Sequence, residues 1–311
     1  MRIRQPPQGR VLPELCDFDV TSRPSTQPSG LYHLALGDVV ITAVNDGTFQ
    51  ASFDLIAGVE RSECERIERA AFRPVPPKMT MNAFLLQMDG RLMLVDAGCG
   101  TSMGPTLGMV CRNLAGMGVM PEDIDTILVT HMHPDHINGL VHEDGEATFP
   151  NAELLVNEIE LQFFLDPDSP ARSPDGEPQD FFGGFRRATK PYADRIRTVK
   201  EGPVMPGITA ITQPGHTPGQ TGWLVESGGD AVLIWGDVVH MPNLQFTAPE
   251  AGTILDIDRE QAIATRRRTL DMVATDRLRV AGIHHDFPAF GHVEKRGAGY
   301  AFVPELWRAV V

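Results

Sequence analysis

From about residue 32 onward, short runs of apolar and β-branched residues recur along the chain, each closed by glycine, proline, asparagine or aspartate. Runs of that length and composition predict strands. They fall at 32–36, 39–44, 82–87, 91–95, 126–129, 153–157, 208–212, 222–225, 231–235 and 278–283. Asn45-Asp46-Gly47 and Asp89-Gly90 carry turn chemistry between such runs and predict hairpin turns. Helical spacing over 104–116 rests on Leu107, Val110, Cys111 and Leu114. A longer helix is predicted over 259–275, with Asp258 as its cap and Ala262, Ile263, Leu270 and Val273 as its apolar stripe. Within it, Arg266-Arg267-Arg268 reads as a solvated face.

Strands interleaved with helices predict an α/β domain over 31–311. Residues 1–30, rich in proline, arginine, glutamine and serine, predict an irregular arm. The segment 166–190 breaks the rhythm with proline, aspartate, serine and glycine, followed by Phe181-Phe182-Gly183-Gly184-Phe185. A long loop inside a compact domain predicts a lid, with the phenylalanines as an apolar wall over a site.

Charge narrows the choice of partner. The 311 residues carry a formal net charge of -14, which opposes nucleic acids and anionic membranes and favours a small neutral molecule. The four cysteines are scattered without a C-x-x-C pair, which predicts a reducing compartment. The N-terminal stretch lacks the apolar core of a secretory signal, and no run approaches the ~20 apolar residues of a membrane span. A cytoplasmic location is expected.

The chemistry concentrates in Thr130-His131-Met132-His133-Pro134-Asp135-His136, where three histidines and a carboxylate follow a strand. Imidazole and carboxylate ligands suit Zn²⁺ or a similar divalent ion, with Mn, Fe or Co as alternatives. His131 and His133 leave extended backbone on the same side. Four other strand ends offer a metal-binding side chain: Asp96, His216, Asp237, and the pair His284/His285. Strand ends along one edge of an α/β sheet are where ligands gather. A two-metal site needs about seven ligands and a shared carboxylate. His131, His133 and His216 would hold one ion, and Asp135, His136 and one of the late histidines the other. Asp237 would bridge them. Asp96 is better placed as acceptor for a ligand imidazole N–H, and His240 could hydrogen-bond near the site.

On these motifs the chain resembles the metallo-β-lactamase superfamily. They are Val95-Asp96-Ala97-Gly98, the H-x-H-x-D-H cluster at 131–136, Gly215-His216-Thr217-Pro218-Gly219, Gly236-Asp237 and the late histidine. The resemblance implies a four-layer αββα sandwich with metals at one edge of two sheets. Within the superfamily it is most similar to the branch of methyl parathion hydrolase and related lactonases. Leu34-Ala35-Leu36-Gly37-Asp38, Phe149-Pro150-Asn151-Ala152, His240 with Gln245-Phe246, and Gly282-Ile283-His284-His285-Asp286-Phe287-Pro288 carry that likeness. There the ligand histidine precedes the Phe-Pro pair by three residues, which selects His284 over its rival His285. Asn138 and Gln220 depart from the branch pattern, outside the ligand set.

The expected activity is hydrolysis by a water that two bridged ions activate at neutral pH, with Asp135 orienting it and shuttling a proton. No G-x-S-x-G elbow is present. A neutral ester-like substrate is expected, a lactone first, with aryl esters and organophosphate triesters as side activities. Cleavage of β-lactams or thioesters is the alternative within the fold, and a metal-binding scaffold or sensor the alternative without turnover. Candidate substrate contacts are Phe181, Phe182, Phe185, Phe246 and Tyr192, the last as a possible phenol beside the substrate carbonyl. The family likeness and the proline-rich arm suggest a homodimer.

Overall fold

The computed structural model describes residues 27–171 and 180–311. The first half of the chain forms β1 (Leu31–Leu36), β2 (Val39–Gln50), β3 (Ile56–Ala57), α1 (Arg61–Ala70), β4 (Lys78–Met88), β5 (Arg91–Val95) and α2 (Val110–Gly116). It continues with β6 (Thr126–Leu128), α3 (Pro134–Ile137), β7 (Glu153–Asn157), α4 (Glu158–Leu165), α5 (Asp180–Thr189) and β8 (Ile196–Val199). The second half forms β9 (Gly202–Met205), β10 (Ile208–Thr212), β11 (Thr221–Ser227), β12 (Asp230–Trp235), α6 (Pro242–Thr247) and β13 (Gly252–Thr253). It ends with α7 (Arg259–Thr275), β14 (Arg279–Gly282), β15 (Phe290–Arg296) and β16 (Gly299–Pro304).

Two seven-stranded sheets result, ordered β1-β2-β4-β5-β6-β7-β8 and β16-β15-β14-β12-β11-β10-β9, with β13 and β3 as a small separate pair. Strand residues alternate between two cores because successive side chains leave a strand on opposite faces. Phe84, Leu86, Val95, Leu128 and Leu155 meet Ile208, Trp223, Val225 and Ile234 of the other sheet. Their neighbours Leu85, Leu94, Ile127 and Leu154 face outward against α2, α3, α4 and α5. On the far side, Leu233, Trp235 and Val280 pack under Phe246 of α6 and Leu270 and Val273 of α7. The layers are therefore αββα. Central strands buried on both faces read as continuous apolar runs, which is why they are so visible in the sequence.

Three local expectations are corrected. Asn45-Asp46-Gly47 makes no hairpin turn: β2 runs through it to Gln50, with a bulge between Asn45 and Gly47. The turn-forming residues serve the bulge instead. The buried Asp46 carboxylate accepts the backbone N–H groups of Cys99 and Val110, and Gly47 sits at φ +124 with Thr106 against it. The helix expected over 104–116 begins only at Val110, because Gly104 and Gly108 both take left-handed backbone. In 166–190, residues 172–179 lie outside the described residues, as do residues 1–26 of the expected arm, while Asp180–Thr189 is helix rather than loop.

A fourth correction concerns α7. Arg266 is buried, not solvated. Its Nε donates to the carbonyl of Val238 at 2.7 Å, and its Nη1 donates to Pro249 and Ala251 at 3.1 and 2.8 Å. Among the described residues, no helix is long and apolar enough to cross a membrane.

Candidate metal centre

The chain crosses one edge of the two sheets five times, and each crossing delivers a His or Asp. Asp96 follows β5, and His131 and His133 follow β6. Asp135 and His136 lie on the single turn of α3, entered through Pro134. His216 sits between β10 and β11, Asp237 follows β12, and His284 follows β14. The pairs β5–β6 and β12–β14 are parallel, so their C-terminal ends open at the same edge.

These side chains converge into a first set of His131, His133 and His216 and a second of Asp135, His136, Asp237 and His284, with His216, Asp237 and His240 as an overlapping third group. His133 Nδ1 lies 2.9 Å from His216 Nε2. Asp237 Oδ2 lies 3.6 Å from His131 Nε2 and 3.4 Å from His216 Nε2. The other oxygen, Oδ1, lies 3.2 Å from His136 Nε2 and 2.9 Å from His284 Nε2. Asp135 Oδ2 completes the second set, 3.4 Å from His136 and 3.5 Å from His284. Ligands at 2.0–2.1 Å around a tetrahedral ion stand roughly 3.3 Å apart. The Nε2 atoms of His131, His136 and His284 and Oδ1 of Asp237 are buried with no hydrogen-bond partner. Orphaned polar atoms aimed at a common point fit divalent cations, since leaving them unpaired is otherwise costly. Against the cost of burial, His284, His136 and His240 hold the Asp237 carboxyl well below the usual carboxylate range. Against the cost of its partial burial, the Asp135 carboxyl is held low by His136 and His284.

A surrounding set of partners fixes the imidazoles. Asp96, at φ +57, accepts the Thr130 N–H and hydroxyl and lies 2.7 Å from His136 Nδ1. His284 Nδ1 faces the Thr80 carbonyl at 3.3 Å, leaving Nε2 for the site. Sequence reasoning missed Asp256, whose Oδ1 lies 2.9 Å from His216 Nδ1. Burial opposes a charge on His216, but Asp237 and Asp256 outweigh it and push its pKa up to about 9. Gln220 accepts the Asp237 N–H at 3.2 Å, which gives this departure from the branch pattern a place in the site. Asn138, the other departure, donates to the Ser102 hydroxyl at 2.7 Å.

His285 turns away from this centre. Its ring packs among Trp235, Phe246 and Phe302, and burial pushes its pKa down to about 3. His240 stays close: its Nε2 is 3.0 Å from Asp237 Oδ2 and its ring stacks on His284.

A cavity of about 250 Å³ opens over the centre, reaching His133, Asp135, Asp237 and His240. Phe49, Leu55, Met79, Met81, Met241 and Phe181 make it apolar. Of the expected substrate contacts, only Phe181 is here, its ring 5.1 Å from that of His133. Phe182 and Phe185 are in the core beneath α5. Tyr192 is also core: its hydroxyl donates to the Leu140 carbonyl and accepts the Phe149 N–H, so its phenol is committed to the scaffold. Phe246 stacks on Phe302 under a separate cavity.

The family model described as "Metallo-beta-lactamase superfamily" matches residues 79–285. Among solved structures, the fold superposes on "hydrolase AbOPH in beta lactamase superfamily" with TM-score 0.86, at 33% identity over 91% of this chain and 100% of that one. It superposes on AidC, a dizinc quorum-quenching lactonase, with TM-score 0.85, at 23% identity over 90% and 99% of the two chains. Among curated proteins, "Probable metallo-hydrolase Rv2300c" of Mycobacterium tuberculosis is 29% identical over 52% of this chain and 60% of its own length. "Ribonuclease TTHA0252" of Thermus thermophilus is 29% identical over 58% of this chain and 40% of its own. The chain thus matches less than two thirds of the length of either of these two curated relatives.

Proposed function

Because the chain belongs to the metallo-beta-lactamase superfamily, we propose that it is a metal-dependent hydrolase that holds two divalent ions and opens a neutral, apolar lactone. The observation that carries this reading is the split of Asp237, whose two oxygens face two different sets of imidazoles. His131, His133 and His216 would hold the first ion, Asp135, His136 and His284 the second, and Asp237 would be common to both. Bound divalent ions at such a centre supply an activated water at neutral pH and polarise the substrate oxygen. The residues around them do the rest. Asp135 borders the cavity and is held in its charged form, so it accepts a hydrogen bond from the attacking water and carries a proton to the leaving group. Asp96, Asp256 and Thr80 hold the imidazoles in fixed tautomers.

The substrate class follows from the cavity and the charge. Four methionines among the wall residues, Met79, Met81, Met103 and Met241, give an apolar surface that adapts to irregular shapes. Among the described residues, no Lys or Arg borders that cavity to pair with a substrate carboxylate or phosphate. A net charge of -14 disfavours a polynucleotide, whatever the activity of ribonuclease relatives. Aryl esters and neutral phosphotriesters share the required features and are proposed as side activities.

The test is metal content of the purified protein together with a hydrolysis panel before and after chelation and reconstitution. An acyl-homoserine lactone, an aryl lactone, an aryl ester, methyl paraoxon and a β-lactam suffice. Two ions per chain and chelator-sensitive turnover fastest on a lactone are expected. A β-lactam or the phosphotriester turned over fastest would overturn the substrate class, and one ion or none would overturn the shared role of Asp237.

A further inference from the structure

Glu160 is a fully buried carboxylate in the first turn of α4 that belongs to neither ligand set. Its Oε1 accepts the Met132 N–H at 2.9 Å, and its Oε2 accepts the Gly219 N–H at 2.9 Å. Met132 is the residue between His131 and His133. Gly219 closes the loop that carries His216. The first loop leaves β6 of one sheet, the second joins β10 to β11 of the other. One carboxylate therefore spans the seam between the sheets and grips the backbone beside all three imidazoles of the first set. The close approach is built in: a Cβ on Gly219 would stand 2.2 Å from the Glu160 nitrogen, so the loop can reach the helix only as glycine. From the same helix, Phe164 packs edge-on against the His133 ring.

We propose that Glu160 is a positioning residue that sets the spacing of His131, His133 and His216, and so the affinity of the first metal position alone. The inference rests on the two-ion reading above. The two bonds of Glu160 fall at Met132, between His131 and His133, and in the His216 loop, whereas the rings of His136 and His284 are oriented by Asp96 and Thr80. A carboxylate is needed rather than an amide because both oxygens accept from amide N–H groups. Glu160→Gln keeps the shape and turns one of the two acceptors into a donor facing a donor.

The experiment is zinc binding to the metal-free full chain, followed by competition with a chromophoric chelator, alongside the absorption spectrum of the cobalt-substituted protein. Wild type, Glu160→Gln and Glu160→Ala are compared, with Glu158→Gln as control, since Glu158 pairs with Lys200 on the surface. In both Glu160 variants one of two binding phases should weaken about 10–100-fold, the usual effect of losing an outer partner of a ligand. The other phase should hold, and the cobalt spectrum should change only in its first-site component. Two unchanged phases in the variants overturn the proposal while leaving the two-ion reading intact. So does equal weakening of both phases with a lower melting temperature of the metal-free protein, which marks a merely structural carboxylate. Fewer than two phases in wild type overturns both.

Discussion

Oδ1 of Asp237 lies 2.9 Å from Nε2 of His284, while its Oδ2 turns towards His131, His216 and His240. In the two-ion proposal, a carboxylate so placed is shared by both ligand sets. Asp237→Asn keeps the shape and one acceptor oxygen but puts an NH₂ group, which cannot ligate, where the second oxygen stood. Metal analysis after dialysis should fall from two ions per chain towards one, and turnover should fall at least about 100-fold. Two retained ions with undiminished turnover would remove Asp237 from the shared position.

Adjacent histidines provide a sharper test, because they differ only in the direction they face. His284→Ala removes a proposed ligand of the second ion, and the protein should retain one ion and lose most activity. His285→Phe replaces one buried ring by another in a pocket already formed by Trp235, Phe246 and Phe302. It should keep both ions, with kcat/KM within about tenfold of wild type. Loss of a metal in His285→Phe, with His284→Ala unaffected, would reverse the assignment.

The contrast between these two residues also shows what a sequence can carry. The H-x-H-x-D-H cluster is local, and Asp96, His216, Asp237 and the pair His284/His285 stand out because each follows an apolar strand, with the choice of His284 within the pair coming from the family resemblance. Such features need no tertiary information. Asp256, Glu160 and Arg266 act across 40, 59 and 28 positions of sequence, on His216, Gly219 and Val238, and nothing local announces the pairing. Periodicity did hold a signal for two of them. Arg266 falls four residues after Ala262 and four before Leu270, on the apolar stripe of α7, and Glu160 falls four before the buried Phe164. The same spacing puts Phe182 and Phe185 on one buried face of α5 and leaves Phe181 at its edge, beside His133. The aromatic run reads as a wall in a loop and as a core in a helix.

Asp256 makes a prediction at a distance from the ions. It accepts from His216 Nδ1 and from the Thr253 N–H, so it fixes the ring and the loop at once. Asp256→Asn leaves one acceptor for two donors. Affinity for the first ion should drop about 10–100-fold, and turnover should recover when zinc is raised in the assay. Failure of added zinc to restore turnover would mean that Asp256 acts on the reaction and not on metal occupancy.

Arg266 ties the loop carrying Asp237 and His240 to the long helix behind it. Burial pushes its pKa down to about 10, so it remains charged at neutral pH. It satisfies three buried carbonyls, of Val238, Pro249 and Ala251, in a region where Gln245 also holds His240, Met241 and Ala251. Removing the guanidinium leaves the Val238 and Pro249 carbonyls without their donor, at about 1–3 kcal/mol each before relaxation, while the Ala251 carbonyl keeps Gln245 Nε2. Arg266→Met preserves the apolar stem and volume but none of the donors. Chemical denaturation of the metal-free protein should show a loss of about 3–5 kcal/mol, in line with breaking a buried charged network. Arg266→Lys should recover only part of it, since an ammonium point charge cannot reproduce the planar fork that reaches Val238 and Ala251 together. The loop it steadies presents Asp237, so the Met variant that still folds should also show a raised KM and weakened metal retention. Stability within about 1 kcal/mol of wild type in Arg266→Met would show that water replaces the guanidinium and that the clamp is dispensable.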